Sequence, residues 1–137
     1  RLLIVDYLQL CVGDKSYESR VQEVGAISHG LKNLPRELKI PVLALSQLNR
    51  GVESRTDKTP VLADLRESGS IEQDADVVMF MHRPELSEKD TLKQNLAQIK
   101  IAKHRNGPVG NVEMVFRSNL AEFENAVTRL VDLTQVA

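Results

Sequence analysis

Aromatic faces are scarce in this chain, which has no Trp, two Tyr and three Phe. That shortage argues against a stacking platform for single-stranded nucleic acid, which works by laying bases on aromatic rings. A single cysteine, Cys11, excludes an internal disulfide framework and suits a reducing compartment. No apolar run approaches membrane-spanning length, and no signal-peptide pattern opens the chain. An excess of either charge is missing too: 18 Lys plus Arg stand against 19 Asp plus Glu. The chain is therefore no basic nucleic-acid coat, and any site for a polyanion has to be local. Repeats and low-complexity segments are absent as well.

What is present is one domain's worth of sequence, 137 residues with 42% apolar content, enough to bury a real core. Arg1 leads straight into the apolar run Leu2-Leu3-Ile4-Val5, with no leading loop, which predicts the C-terminal part of a longer chain. The run itself predicts a strand covered on both faces of a parallel sheet. After a polar loop at 11–19, the residues Val21, Val24, Ile27 or Ser28, Leu31, Leu34 and Leu38 recur at helical spacing. Pro35 lies within that pattern and is expected to kink or shorten the last turn. Val42 to Leu45 is a second apolar run, so the first 45 residues read as a βαβ unit. Val77 to Met81 predicts a third buried strand, and 83–95 a polar, mobile stretch. Alternation from Ala97 to Phe116 around Asn106-Gly107-Pro108 predicts an antiparallel hairpin. A short strand near Glu122 to Ala126 follows, then a tail. The fold class is α/β.

Residues 64–76, Asp64-Leu65-Arg66-Glu67-Ser68-Gly69-Ser70-Ile71-Glu72-Gln73-Asp74-Ala75-Asp76, form a polar block between apolar runs. Ser70 followed by Gln73 fits a capping box at the start of a short helix. Arg66 and the backbone around Ser68 and Gly69 can grip a sugar-phosphate chain, a contact that positions nucleic acid without reading its sequence. The same pattern also fits a capped helix start with a solvated face. Asp6 directly follows the first strand, where open α/β sheets bind ligands. A carboxylate there either stays solvated or holds Mg²⁺ through water. Gln47 ends the second strand in the same sense, placed to sense a phosphate or to bond its own loop. Lys103 and Arg105 stand two residues apart, so at strand spacing both cations face one way. They suit one anion, or simply make a solvated basic tip. His29, His82 and His104 show no metal-ligand spacing with Cys11 and read as ordinary polar residues.

Together, Leu3-Ile4-Val5-Asp6-Tyr7-Leu8-Gln9-Leu10, Ala44-Leu45-Ser46-Gln47-Leu48-Asn49-Arg50, the 64–76 block and Lys103-His104-Arg105-Asn106-Gly107-Pro108 resemble one family. This is the C-terminal ATPase domain of the DnaB-type replicative DNA helicases, and the match runs from residue 1 to about 126. The resemblance implies a RecA-like P-loop NTPase core, incomplete on its N-terminal side, with a mostly parallel sheet and a C-terminal antiparallel hairpin. It implies residues 1–127 as that domain part and 128–137 as a tail. It implies ATP and Mg²⁺ as cofactors, with Asp6 as the Walker B carboxylate on the metal. Gln47 matches the glutamine linking the γ-phosphate to DNA-facing loops. Lys103 and Arg105 match the basic pair that reaches a neighbouring subunit's nucleotide, Arg105 as the finger. Arg66, Glu67 and Gly69 match the loop on the single-strand backbone. Implied partners are single-stranded DNA, further copies in a homohexamer, primase and a helicase loader, in a bacterial cytoplasm or plastid stroma, with no membrane.

The phosphate-cradling Gly-x-x-x-x-Gly-Lys-Ser/Thr loop is not among these 137 residues. The family places it and the catalytic glutamate upstream, so the isolated chain is expected neither to bind ATP well nor to hydrolyse it. Two other readings stay open from sequence: a non-motor RecA-like ATPase of recombination or clock type, and a fragment that serves assembly alone.

Overall fold

The computed structural model of the chain describes residues 1–68, 70–84 and 95–126, and of 66–68 the backbone alone. The first apolar run forms β1 (Leu3–Val5), which pairs in parallel with β2 (Val42–Ala44), Leu3 opposite Val42 and Val5 opposite Ala44. A parallel pair needs a long crossover, and α1 (Arg20–Leu38) lies within it. Ser19 caps α1 by accepting a hydrogen bond from the Gln22 amide, satisfying one of the donors left over at a helix start. The buried positions are Val24 and Ser28, so the polar member of the Ile27/Ser28 alternative faces inward. Pro35 does not end the helix. It continues to Leu38 and stops at Lys39, which takes the left-handed conformation (φ 54°) more often given to glycine.

A second sheet holds four antiparallel strands in the order β3 (Val77–His82), β4 (Leu96–His104), β5 (Gly110–Arg117) and β6 (Glu122–Asn125). The predicted hairpin and the short last strand are therefore present. The balance differs from the expectation of a mostly parallel sheet. Among the described residues, parallel pairing is confined to β1 and β2, and β3 sits on the antiparallel side. An apolar run reports that a strand seeks cover, not the direction of its neighbour. Cover on both faces is not found either. Ile4, Met79 and Met81 are each more than half exposed, because no described element packs on that side.

Leu65, Val78 and Phe80 form the buried cluster, with Leu48, Leu62, Ile71, Ala75 and Ala102 packed against it. The core thus ties the 62–76 segment to β3 and β4. No helix among the described residues is long and apolar enough to cross a membrane. Residues 85–94 and 127–137 lie outside the described residues, and with them most of the stretch 83–95 read from sequence as mobile and all of the tail 128–137.

Candidate functional site

The carboxyl ends of β1 and β2 form one rim. Asp6 follows β1 and is exposed, and the Asp6–Tyr7 peptide is cis. The ladder continues past the strands: the Leu45 amide donates to Val5 O and the Leu8 amide to Leu45 O, both at 2.9 Å. Gln47 follows, exposed, and Tyr7, Leu45, Ser46 and Gln47 line a shallow open cavity. The parallel register therefore brings Asp6 and Gln47 to the same edge.

Gln9 holds that edge together. Its Oε1 accepts from the Gln47 amide at 3.2 Å, and its Nε2 donates to Gln47 O at 3.2 Å and Ser46 Oγ at 3.0 Å. One side-chain amide thus satisfies both backbone groups of Gln47 and leaves its side chain exposed toward the cavity. Arg20 steadies the same stretch by donating to Gln9 O at 2.6 Å and Cys11 O at 3.1 Å. Sequence reading singled out Gln47 and passed over Gln9. The available signal was its place, three residues after Asp6 in the same run.

Among the described residues, no group of three or more His, Cys, Asp or Glu side chains could hold a metal. A single strand-end carboxylate suits Mg²⁺, which keeps several waters and takes the rest of its shell from phosphate oxygens. Asp6 fits a metal that arrives with a nucleotide.

Lys103 and Arg105 lie where β4 gives way to the turn. The β3–β4 register skips Ala102, pairing Val78 with Lys103 but Met79 with Ile101. Such a bulge re-aims the side chains beside it. Lys103 Nζ donates to Glu72 O at 2.6 Å, and Arg105 Nη2 donates to Gln73 O at 2.6 Å. The two cations converge on adjacent carbonyls, where the spacing alone left either one shared anion or a solvated tip. Asp76 stands beside them, its carboxyl held below the usual carboxylate range, first by the hydrogen bond from the Lys32 ammonium and then by the surrounding cations.

In the 64–76 block, Leu62–Ser68 winds as a 3₁₀ stretch and Ile71–Asp74 forms the short α2. Leu65 anchors it in the core. The approach is braced by Asp64, whose Oδ2 accepts from the Val61 amide at 2.8 Å and from Arg55 Nη2 at 2.9 Å. The side chains of Arg66 and Glu67, and all of Gly69, lie outside the described residues. The capping box is not formed. Ser70 makes no side-chain cap, because its own backbone is helical (φ -94°, ψ -11°) where a cap residue is extended, and its hydroxyl donates to Gly25 O at 3.2 Å. Asp74 completes the attachment, taking Ser28 Oγ at 2.6 Å and lying 2.8 Å from His29 Nδ1. His29, read from sequence as an ordinary polar residue, is thus part of the α1–α2 junction.

The DnaB-like helicase C terminal domain family matches residues 1–125. Replicative DNA helicase DnaC of Bacillus subtilis is 51% identical over 132 residues, 96% of this chain and 29% of that protein. Replicative DNA helicase DnaB of Geobacillus stearothermophilus is 52% identical over 129 residues, 93% of this chain and 28% of that one. A solved DnaB-like replicative helicase, described with its interactions with primase, superposes with a TM-score of 0.88 at 46% identity. That match covers 91% of this chain and 30% of the solved one. The chain spans less than a third of the length of the curated relatives it matches.

Proposed function

The chain belongs to the DnaB-like helicase C-terminal domain family, and on that premise we propose that it is part of an ATP-driven replicative DNA helicase. In this reading, copies assemble as a homohexameric ring that translocates on single-stranded DNA and separates the duplex. Asp6 holds Mg²⁺ at the rim, and Gln47 senses the terminal phosphate there. Lys103 and Arg105 serve the nucleotide of a neighbouring copy, while Arg66, Glu67 and Gly69 meet the DNA backbone. Bound ATP with Mg²⁺ supplies the phosphoryl group whose charge these side chains meet. The phosphate loop is not among the 137 residues, so this chain by itself contributes a metal-side carboxylate and a half-site for a neighbour.

The observation that carries the reading is the convergence of Lys103 and Arg105, each 2.6 Å from one of two adjacent carbonyl oxygens. Two cations that can serve neighbouring oxygens of a peptide can serve neighbouring oxygens of a phosphate. Arg adds a planar fork to the point charge of Lys. A net charge of -1 is no obstacle, because weak phosphate grips repeated around a ring add through effective concentration. Primase and a helicase loader are the further partners of this reading, and the cytoplasm its location. The recombination- or clock-type alternative has no observation in its favour, since the curated relatives carry replicative-helicase names.

The test is Arg105→Ala in a full-length helicase carrying these residues. A finger acting across a subunit boundary is worth about 10³–10⁵ in rate. DNA-stimulated ATP turnover should fall by about that factor while nucleotide affinity stays close to that of the parent. Near-normal turnover would refute the role.

A further inference from the structure

Lys103 and Arg105 do not stand free at the tip of the hairpin. The last carbonyls of a helix lack intrahelical donors, and α2 offers two of them, on Glu72 and Gln73, to this pair. The Arg105 amide adds a bond to Asp76 O at 2.9 Å, and Arg105 Nε lies 3.5 Å from Asp76 Oδ1. That same oxygen, Oδ1, is the one Lys32 Nζ contacts from α1. Two cations from different elements therefore share one carboxylate oxygen. Lys32 has the closer contact and Arg105 the longer one.

We propose that Asp76 is a positioning residue that holds Arg105 against α2, and that Lys32 opposes the hold by competing for the same oxygen. The consequence for turnover rests on the reading of Arg105 as a cation for a neighbour's nucleotide, whereas the contest is a property of this chain alone. The hold is shallow by construction of the site. Asp76 is 61% exposed and Arg105 47% exposed, and exposed ion pairs bind weakly. A weak hold suits a cation that has to be given up. The hold is also connected. α2 is fastened to α1 through Ser28, His29 and Asp74 and through Ser70 to Gly25, and it follows the 64–69 stretch directly.

The test uses the 137-residue chain with ¹⁵N-arginine, the Arg105 Nε–H signal being the one lost in Arg105→Lys. In Asp76→Asn that proton should exchange with solvent about two- to fivefold faster, the range an exposed pair supplies. In Lys32→Ala it should exchange more slowly by a similar factor, because Asp76 is then left to Arg105. Opposite directions support the contest. Shifts in the same direction, or none, overturn it, since a merely structural loosening would speed exchange in both. Asp76→Glu, which keeps the charge, should restore slow exchange, and its failure to do so would count against the hold. In a full-length helicase carrying these residues, Asp76→Asn should raise and Lys32→Ala lower ATP turnover without DNA, at unchanged KM. Opposed exchange with unaltered turnover upholds the contest and refutes the trans role of Arg105.

Discussion

The rim at β1 and β2 and the tip after β4 both present side chains proposed to act on nucleotide, but they are held by different means. At the rim, a parallel ladder and the neutral amide of Gln9 fix the backbone of Gln47. At the tip, charged side chains reach across to the carbonyls of α2 and share one carboxylate oxygen with Lys32. An amide paired with both backbone groups of one residue has a single good geometry, and the other donor to Gln47 O, Ser46 Oγ, is itself held by Gln9. A carboxylate between two cations has two partners to choose from. The rim is therefore the fixed part of the candidate machinery and the tip the adjustable part.

Among changes to the groups that only support these side chains, the largest effect is expected from breaking the fixed part. Gln9→Ala removes both halves of the clamp on Gln47 while touching neither Asp6 nor the Gln47 side chain. Misplacement of a positioned group by about an ångström can cost on the order of a hundredfold in rate. In a full-length helicase carrying these residues, kcat for ATP should drop about ten- to a hundredfold, with KM changed far less. Hydrogen exchange should show lost protection at Leu45 and Leu8, whose amides close the ladder above the rim, and none at Lys103 to Arg105. Loss of protection at both places would erase the distinction between the two regions.

Asp74→Ala is the converse experiment. Asp74 accepts from the buried Ser28 hydroxyl and meets His29, so its removal strands a polar group at the α1–α2 junction. An unsatisfied buried hydroxyl costs about 1–3 kcal/mol, and urea unfolding should register a loss of about 2 kcal/mol. The loosening should reach α2 and the Arg105 amide, which donates to Asp76 O, and leave the rim protected. A variant as stable as the parent would mean that core contacts of Ile71 and Ala75 alone hold α2 in place.

How much of this was legible depended on range along the chain. β1, α1, β2, the hairpin and β6 follow from local periodicity, which needs only neighbours within a few residues. The common rim of Asp6 and Gln47 was legible once the βαβ unit was recognised, and so was the nearness of Lys103 to Arg105, but not the α2 carbonyls they meet. The contacts that fasten these parts were not. Gln9 meets Gln47 across 38 positions and Ser28 meets Asp74 across 46. Nothing in either neighbourhood announces the partner. Ser70 shows how a local rule loses: its spacing to Gln73 fits a cap, yet its backbone is already helical and its hydroxyl points to the Gly25 carbonyl of α1. The open faces of β1 and β3 were missed because hydrophobicity records a demand for cover without showing that cover exists. Arg66, Glu67 and Gly69 rest on family resemblance alone.

The smallest effect separates the two regions by pH. The Asp76 carboxyl sits below its ordinary value, first because Lys32 donates a hydrogen bond to the charged form and then through the charges of Lys32, Arg105 and Lys103. A folded value below the unfolded one, about 3.9, stabilises fully above that unfolded value. The contribution is lost as pH falls through the depressed folded value. The tip should thus be unchanged at pH 5, and a titration of the Asp76 carboxyl carbon should have its midpoint below about 3.9. Lys32→Ala should move that midpoint upward, toward the ordinary value. Exposure of the side chain keeps the accompanying change in stability small, because solvent screens the pair. The Gln9 clamp contains no ionisable group, so the Gln47 amide should hold its shift until the chain unfolds as a whole. A midpoint for Asp76 at or above the ordinary value would mean that neither cation engages it, and the tip would then be no more adjustable than the rim.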